Sequence, residues 1–543
     1  MASLNQNTAV LGQTHAKHLL RRASFAYTKT LIDQFAALTP QQALDALLAD
    51  NPLTLALPFD PGGDGFWTES TALPNSFNGQ DKKATFVSAW WWYNAINSPT
   101  LKYKLSHFLS TRFTASKQTA TATEFYDHVR LLLFSAYGNY KTLAHKITVD
   151  NLMLVYLDNT TNDKNSPNEN YAREFLELFT IGKGIEITQG DYTNYTETDI
   201  VQAARVLTGF RRQADRSVID AETGIPKGVN LFIRHHTSPK VFSSDFNNTT
   251  INSATDDVSM DAELDAFIDM VFNKMATAQH VCRKLYGYFV KSTITAEVET
   301  DIITPLAQQF YNTGYEIAPV IRTLLESQHF YDLDDADASD ETIGGIIKSP
   351  LQEASEICTF FQATIPDPTI DPATFYVNFY RRFLHDTFFG GANMLIFQPE
   401  NVAGHSAYYQ APDFDKTWIS SSTLIARYRL GESLLDGVDR IASTGNIGVN
   451  IDIVNTIRNG GIVSDASDAY VLTADICNYF FPQNPDSDRI NYFMNSFLLA
   501  GFVPGYWTDA WNTYVNSNDS SVVEPRLRLL LTKILSAPES QLF

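Results

Sequence analysis

Apolar residues recur along most of this chain three or four positions apart, which is the spacing of one face of an α-helix. In residues 39–50, TPQQALDALLAD, Thr39 is placed to cap a helix and Pro40 suits its first turn. Thr196 and Asp199 have the spacing of a capping box for a helix that ends near Gly209. The same period predicts helices over residues 15–24, 86–113, 124–158, 261–290, 302–327, 350–364, 418–435 and 525–535. We therefore predict a mainly α protein, one large multi-helix body with long irregular loops and few short strands.

Two stretches interrupt the helical period. Residues 52–80 are rich in Pro, Gly and Asn, and residues 211–260 are polar with short extended pieces such as 229–233. Because neither stretch has the composition of a low-complexity linker, we expect a single helical domain over residues 1–543. Within it, the irregular region 211–260 would join two lobes, 1–210 and 261–543.

The segment SPNENYAREFLELFTIGKG, residues 166–184, combines helix start and stop signals with an unusually polar face. Ser166 is a natural N-cap, Pro167 fits the first helical position, and Gly182 and Gly184 suit the end. Four apolar residues at helical spacing predict a buried stripe, namely Ala172, Phe175, Leu176 and Phe179. The polar face carries Asn168, Glu169, Asn170, Arg173, Glu174 and Glu177.

Two interpretations of this polar face stay open. Glu169, Arg173 and Glu177 are four residues apart, so they can form an ion-pair ladder on a solvated surface, at about 0.2–0.5 kcal/mol per pair. Alternatively the face is the wall of a site, with Asn168, Glu169 and Asn170 as binding groups. In that case Arg173 would hold the carboxylates ionised, and Glu174, with Glu177, would be the acid–base candidate.

Charge and composition narrow the classes of function. The 543 residues carry a formal net charge of −21, which disfavours binding to nucleic acid or to an anionic membrane. We expect no transmembrane segment, because no run of about 18 apolar residues is present. Cys282, Cys358 and Cys477 are too few for a disulfide framework. The acidic, Lys-poor, Asn- and Thr-rich composition favours an exported protein, periplasmic or secreted, with its signal absent from this chain, over a cytoplasmic one.

Further binding candidates lie in the two irregular regions. His235 and His236 are adjacent, so their side chains diverge and make a poor pair for one metal ion; with Lys240 they are candidates for binding, and we expect no metal site. Asn401 and His405 precede two consecutive tyrosines in a loop, a combination that suits a carbohydrate or an extended peptide. For His235 and His236, the simpler alternative is that one is packed inside the fold and the other is solvated.

Sequence blocks spread over the whole chain form a recognisable set. They are HLLRRASFA at 18–26, NENYAREFLELFTIGKG at 168–184, AARVLTGF at 203–210, TSPKVFSSDFNNTTI at 237–251, CRKLYGYFV at 282–290, IKSPLQ at 347–352, FQPENVAGH at 397–405 and WISSSTLIARY at 418–428. Through these blocks the chain resembles the bacterial family catalogued as domain of unknown function 1800, as a divergent member. The resemblance implies a protein partner, for which an alkaline-phosphatase-like family is the candidate, and it assigns no cofactor.

The chain departs from the family's pattern at positions that bear on chemistry. Family members commonly show Trp-His-x-His-Phe where this chain has LSTRF at 109–113, so that Ser110 and Arg112 stand in place of both histidines. The pattern His-Asp-x-Gly-x-Lys appears here as HHTSPK at 235–240, and Asn-Val-x-Gly-Trp as NVAGH at 401–405. The resemblance therefore implies that any chemistry through the histidine pair is lost here or is done by other groups.

Two hypotheses of function follow, and they leave open whether the protein is an enzyme. The first is an exported helical protein that works in a cell-envelope or secreted assembly, with an alkaline-phosphatase-like protein as its partner. The second is a hydrolase-like enzyme that acts on a glycan or peptide polymer through the face of Glu169, Arg173, Glu174 and Glu177.

Overall fold

The structure, a computed structural model, describes residues 2–49, 57–63, 65, 67–68, 77–189, 191–335 and 341–543. Most of the predicted loop 52–80 lies outside these ranges, and its last residues belong to a helix that begins at Phe77.

Helices make up most of the described chain, which confirms the predicted mainly α class. The α-helices are Gly12–Ala23, Lys29–Ala36, Pro40–Leu48, Phe77–Ile96, Lys102–Arg112, Ala122–Phe134, Tyr140–Thr148, Asn151–Tyr156, Asn170–Glu174, Glu197–Val206, Ser259–Phe272, Met275–Phe289, Ala296–Val298, Thr304–Asn312, Ile317–Glu326, Pro350–Phe360, Thr423–Asp436, Ile453–Asn459, Ala469–Phe480, Ser487–Phe493, Pro504–Ser517 and Val523–Leu535. Short 3₁₀ turns connect several of them, at Asn159–Thr161, Phe232–Arg234, Ser244–Phe246, His329–Tyr331, Ser406–Tyr408, Phe414–Trp418 and Pro538–Gln541.

Local capping signals place several helix starts as predicted. Thr39 accepts a hydrogen bond from the backbone N–H of Gln42, and Gln42 returns one, so the helix Pro40–Leu48 begins with a complete capping box. Thr196 and Asp199 form the same motif at the start of Glu197–Val206. These interactions join residues only three positions apart, which is why the sequence alone reveals them.

Within the described residues, four segments have π-helical geometry, with hydrogen bonds from residue i to residue i+5. They are Phe175–Phe179, Glu299–Ile303, Ala373–Phe389 and Met494–Leu498. The first directly continues the helix Asn170–Glu174. Single π turns inside α-helices are often found at functional sites, and periodicity gave no sign of this one.

Strands are few and short in the described residues, as predicted. Three two-stranded antiparallel sheets pair Glu186–Thr188 with Asp191–Tyr192, Phe210–Arg211 with Val229–Asn230, and Lys240–Val241 with Thr250–Ile251. Two of them lie in the region predicted to be irregular.

The hydrophobic core draws on residues from Ala2 to Ala537 and so includes side chains of both predicted lobes. The division at residues 210 and 261 stays a prediction. Cys282, Cys358 and Cys477 are buried free thiols. In the described part of the chain, no helix combines the length and the apolar character needed to cross a bilayer.

Candidate functional site

The polar helix of the 166–184 segment begins three residues later than its cap signals predict, at Asn170 instead of Pro167. Ser166 forms an isolated bridge with Asp163, and the helix starts at Asn170. Glu169 occupies the N-cap position and makes no side-chain cap, while the side-chain oxygen of Asn168 accepts a hydrogen bond from the Asn170 backbone N–H at 3.0 Å. The backbone N–H of Asn168 donates in turn to the Asn162 side chain at 2.9 Å. The predicted N-cap at Ser166 is therefore wrong, since a contact from outside the segment holds its first residues in another conformation.

The buried stripe of this segment is confirmed. Ala172, Phe175, Leu176 and Phe179 are fully buried. The chain changes from α to π geometry between Glu174 and Phe175. The wider turn shifts the residues after Glu174 around the helix axis, so the polar groups no longer keep the spacing of a regular α-helix.

The predicted ion-pair ladder forms only in part. Arg173 lies 3.5 Å from Glu169, but its main partner is Glu197, to which Nη1 and Nη2 donate at 2.7 and 2.8 Å. Glu177 forms an ion pair with Lys183 instead of Arg173. Glu197 was missed as a site residue, although it lies inside the capping box that begins at Thr196.

Glu174 stands apart from the ion pairs around it. Among the described residues, none forms a hydrogen bond or an ion pair with its carboxyl group. Burial, and then the negative charge of Glu177, raise the pKa of Glu174 to about 7, against the opposing effect of Lys183 and Arg173. Arg173 favours the ionised form of this carboxyl, as the hypothesis supposes, but burial outweighs its effect, and the Arg173 guanidinium is engaged mainly by Glu197. The acid–base role of Glu174 stays a prediction.

His235 and Lys240 lie inside the fold and share one carboxylate. The Nε2 atom of His235 is 2.8 Å from Oε2 of Glu263, and Lys240 forms an ion pair with the same carboxylate. His235 and Lys240 have no exposed surface. His236 is half-buried, and its backbone carbonyl accepts a hydrogen bond from Lys240 at 2.7 Å. These contacts join the 235–240 loop to the helix Ser259–Phe272; a ligand-binding role for the three residues stays a prediction.

Asn401 and His405 belong to a loop that reaches a different part of the molecule. The Asn401 side chain donates to the hydroxyl of Tyr409 at 2.7 Å and accepts from the backbone N–H of Ala403. His405 is buried, and burial lowers its pKa to about 4. With Gly404 and Thr111, it lines a small cleft of about 20 Å³.

Next to this cleft is a larger cavity of about 270 Å³, which we call the central cavity. The helix Met275–Phe289 contributes one face of residues, spaced three and four apart. The segment after this helix, the end of Lys102–Arg112 and the 407–414 stretch supply the other walls. Its lining residues are Thr111, Arg112, His280, Arg283, Lys284, Gly287, Tyr288, Ser292, Ile294, Ala407, Tyr408 and Phe414. Of the described residues that line this cavity and the adjoining cleft, none comes from the 166–184 or the 235–240 segment.

The central cavity is linked to the polar helix through His280. The Nε2 atom of His280 is 3.3 Å from the carbonyl oxygen of Leu178, in the π turn. Gly182 lies against the same ring, where an added Cβ would be 2.5 Å from Nδ1. With its φ of +72°, this position requires glycine for both its backbone conformation and its close approach to the ring.

The charged side chains that line the central cavity are basic in the part of the chain that the structure describes. Arg112 is only 6% exposed, and its one hydrogen bond among the described residues runs from Nε to the Thr111 hydroxyl at 3.4 Å. Lys284 forms no ion pair or hydrogen bond with a described residue, whereas Arg283 is neutralised by Glu299 at 2.6 and 2.8 Å. The three unneutralised bases of the cavity are thus Arg112, Lys284 and His280.

Burial lowers the pKa of all three bases, and the charge of Arg112 lowers the pKa of the other two further. Burial lowers the pKa of Arg112 to about 10. Burial and then the charge of Arg112 lower the pKa of Lys284 to about 7. Burial followed by the charges of Lys284 and Arg112 lowers the pKa of His280 to about 3. The sequence analysis did not identify this site, although His280, Lys284 and Tyr288 recur at four-residue intervals in the helix Met275–Phe289, with Arg283 beside them.

The comparisons with known proteins bear on the whole chain. A family model described as "Protein of unknown function (DUF1800)" matches residues 18–542. No curated protein and no solved structure matches the chain. In the described part of the chain, no group of three or more His, Cys, Asp or Glu side chains is arranged to hold a metal ion.

Proposed function

The chain belongs to the family of proteins of unknown function DUF1800, and from that premise we propose that it recognises a ligand in the central cavity while it works in an exported assembly. One observation carries the proposal. Two of the family blocks, 282–290 and 397–405, line the central cavity and the adjoining cleft together with 109–113, the segment in which this chain departs from the family pattern. Residues so far apart in the chain meet there around buried bases, which are costly for a fold to keep without a function.

The exported setting rests on composition and on family association. The net charge of −21 and the low lysine content suit a secreted or periplasmic protein. The family association suggests an alkaline-phosphatase-like protein as the partner. In this proposal the protein is one component of a cell-envelope or secreted complex, and ligand binding in the central cavity is its own contribution.

Ligand recognition is testable with a substitution that fills the cavity. Gly287 lines the cavity, and an added Cβ would meet no atom within 4 Å, so Gly287→Leu occupies the ligand's space without removing charge. Gly505 is a matched control, since it also lies in a helix and has the same open space. We expect thermal-shift screening of small-molecule classes to find a stabilising ligand whose effect is lost in Gly287→Leu and kept in Gly505→Leu. A ligand effect that is equal in both variants would contradict the proposal.

The assembly is tested separately, by cross-linked affinity capture of the native protein from its own cells and mass spectrometry of what accompanies it. We expect an alkaline-phosphatase-like partner in near-stoichiometric yield. A protein that stays alone at micromolar concentration with this candidate partner present would count against the assembly.

A second candidate function is acid–base hydrolysis of a glycan or peptide polymer at the polar helix. The observation that favours it is the Glu174 carboxyl, which has no partner among the described residues and a pKa of about 7, near the value that suits a general acid or base. Screens with glycan and peptide substrates should then show activity that Glu174→Gln removes and that the control Glu432→Gln, on the separate helix Thr423–Asp436, keeps. Activity that survives in Glu174→Gln would exclude this role.

A further inference from the structure

The charge of the central cavity contrasts with the charge of the whole protein. The chain carries a net charge of −21, yet the described residues that line this cavity include four basic side chains and no carboxylate. Glu299 neutralises one of them, Arg283. The positive charge that remains is therefore local to the cavity and cannot be ascribed to a generally basic surface.

Arg112 is the most informative of these groups. It is 94% enclosed and lines the cavity, and its terminal nitrogens make no hydrogen bond to a described residue. A guanidinium presents a rigid fork of donors that matches the oxygens of a carboxylate or a phosphate. A buried charge without a partner is strongly disfavoured, so an anion in the cavity would supply the interaction that the fold leaves open.

The hydroxyl groups of the cavity already have partners. Thr111 donates to the carbonyl of Phe108 at 2.7 Å, and Ser292 donates to Asp415 at 2.6 Å. The hydroxyl of Tyr288 is 2.8 Å from Nδ1 of His107. Recognition of a ligand's polar group therefore depends on the bases, and above all on Arg112 and Lys284.

The number of bases indicates the charge of the ligand. A carboxylate carries one negative charge and would leave either Arg112 or Lys284 without a counter-charge. A phosphate ester carries about −1.5 to −2 near neutral pH and three acceptor oxygens, so it can engage both groups. Because the charge of a bound dianion also favours the protonated forms of Lys284 and His280, the phosphate class is the better match.

The cavity also has an apolar side. The rings of Tyr288 and Tyr408 lie 5.6 Å apart at an angle of 30°, and Ile294 and Phe414 complete the wall. The volume of about 270 Å³ is close to the lower end of small-molecule pockets, about 300 Å³. This space can take a small group attached to the anion, with aromatic rings as its contact surface.

We propose that the central cavity binds a phosphate group, free or as the monoester of a small molecule, through Arg112 and Lys284, with Tyr288 and Tyr408 packed against the attached group. This inference rests on the proposed function, because it names the class of ligand that the central cavity recognises.

The test compares three probes that share a phenyl ring and differ in charge: phenyl phosphate, benzoate and phenol, with inorganic phosphate as a fourth. Isothermal titration on the full-length protein should give the tightest binding for phenyl phosphate, about ten- to hundredfold tighter than for benzoate. Comparable affinity for inorganic phosphate would identify the free ion as the ligand, and much weaker affinity would identify an ester; either result supports the proposal.

Two charge variants and one shape variant assign the binding to this cavity. Arg112→Met and Lys284→Met keep the apolar length of each side chain and should each weaken phenyl phosphate binding about tenfold or more. Gly287→Leu should abolish it, and Gly505→Leu should leave it unchanged. Unfolding temperatures of all variants, measured without ligand, separate loss of binding from loss of fold, and Arg112→Lys provides a second, conservative change.

The outcomes separate this inference from the proposed function. Phenyl phosphate that binds no better than phenol, or that binds equally in Arg112→Met and Lys284→Met, would overturn the phosphate assignment. If another probe then stabilised the protein in a manner sensitive to Gly287→Leu, the ligand-binding function would stand without it. If no probe showed such sensitivity, both would be refuted.

Discussion

Substitution of Lys284 by Met should stabilise the protein, and the gain should depend on pH. Burial and the charge of Arg112 lower the pKa of Lys284 from 10.5 to about 7. Each pKa unit corresponds to about 1.4 kcal/mol, so the protonated side chain costs the folded state at most about 5 kcal/mol. Because Lys284 is half-buried and its charge keeps some contact with water, we expect a gain of about 2–4 kcal/mol.

The direction of the pH dependence follows from proton linkage. Below pH 7 Lys284 is protonated in the folded and the unfolded protein, and the whole cost is present. Between pH 7 and 10.5 the unfolded state binds the extra proton, so the stability of the wild type rises with pH relative to the variant. The advantage of Lys284→Met should thus be largest at pH 6 and should nearly vanish near pH 10.5.

The measurement is chemical unfolding of both proteins at pH 6, 8 and 10, with the free energy of unfolding taken from transitions whose slopes agree. Lys183→Met is the matched control. Lys183 forms an ion pair with Glu177, which raises the pKa of Lys183. The stabilisation from this ion pair would therefore be lost only above pH 10.5. That control should change stability by about 1 kcal/mol or less, constant from pH 6 to 10. A Lys284→Met variant that is less stable at pH 6, or whose advantage does not change with pH, would refute the reasoning.

Three further predictions concern groups outside the central cavity. Glu174→Gln should stabilise the protein by about 1–2 kcal/mol at pH 8 and should leave its stability unchanged at pH 4. The reason is that the raised pKa of Glu174 makes the wild type lose stability as pH rises from 4.5 to 7. Denaturant midpoints at both pH values test this, and an equal stabilisation at pH 4 would contradict it. Glu263→Ala should lower the free energy of unfolding by about 3–5 kcal/mol, since it leaves Lys240 buried without its counter-charge. A loss of less than about 1 kcal/mol, measured by thermal unfolding, would contradict this reasoning. Arg173→Lys should lower the free energy of unfolding by only about 0.5–1 kcal/mol, because it removes the bidentate hydrogen bond to Glu197 at a partly exposed position. A loss above about 2 kcal/mol, measured by calorimetry, would show that this pair does more than join two helices.

The stability predictions for the cavity and its proposed ligand support each other. A cavity that keeps Arg112 and Lys284 without counter-charges lowers the stability of the free protein. Binding of an anion would restore that stability by mass action, in proportion to the logarithm of ligand concentration. A variant that gains stability and loses binding would show directly that these charges are kept for recognition, at the expense of the fold.

Short-range signals predicted much of the helical architecture correctly. The capping boxes at Thr39 and Thr196 join residues three positions apart, and the stripe of the polar helix repeats at helical spacing. The family blocks likewise showed membership, because they are read directly from the order of residues. The start of the polar helix was wrong for the opposite reason: Asn162, outside the segment, binds the backbone of Asn168 and moves the cap away from Ser166.

What the sequence by itself determined is therefore the mainly α class, most of the helices and the family. The tertiary structure alone decided which charged groups are neutralised: Glu197 for Arg173, Glu263 for His235 and Lys240, and no described carboxylate for Arg112 or Lys284. Helix formation depends on contacts within about four residues, whereas burial and Coulomb interactions depend on distances through space between residues remote in the chain. The candidate site is a product of these long-range interactions, so its chemistry became visible only where Lys102–Arg112, Met275–Phe289 and the 407–414 stretch meet.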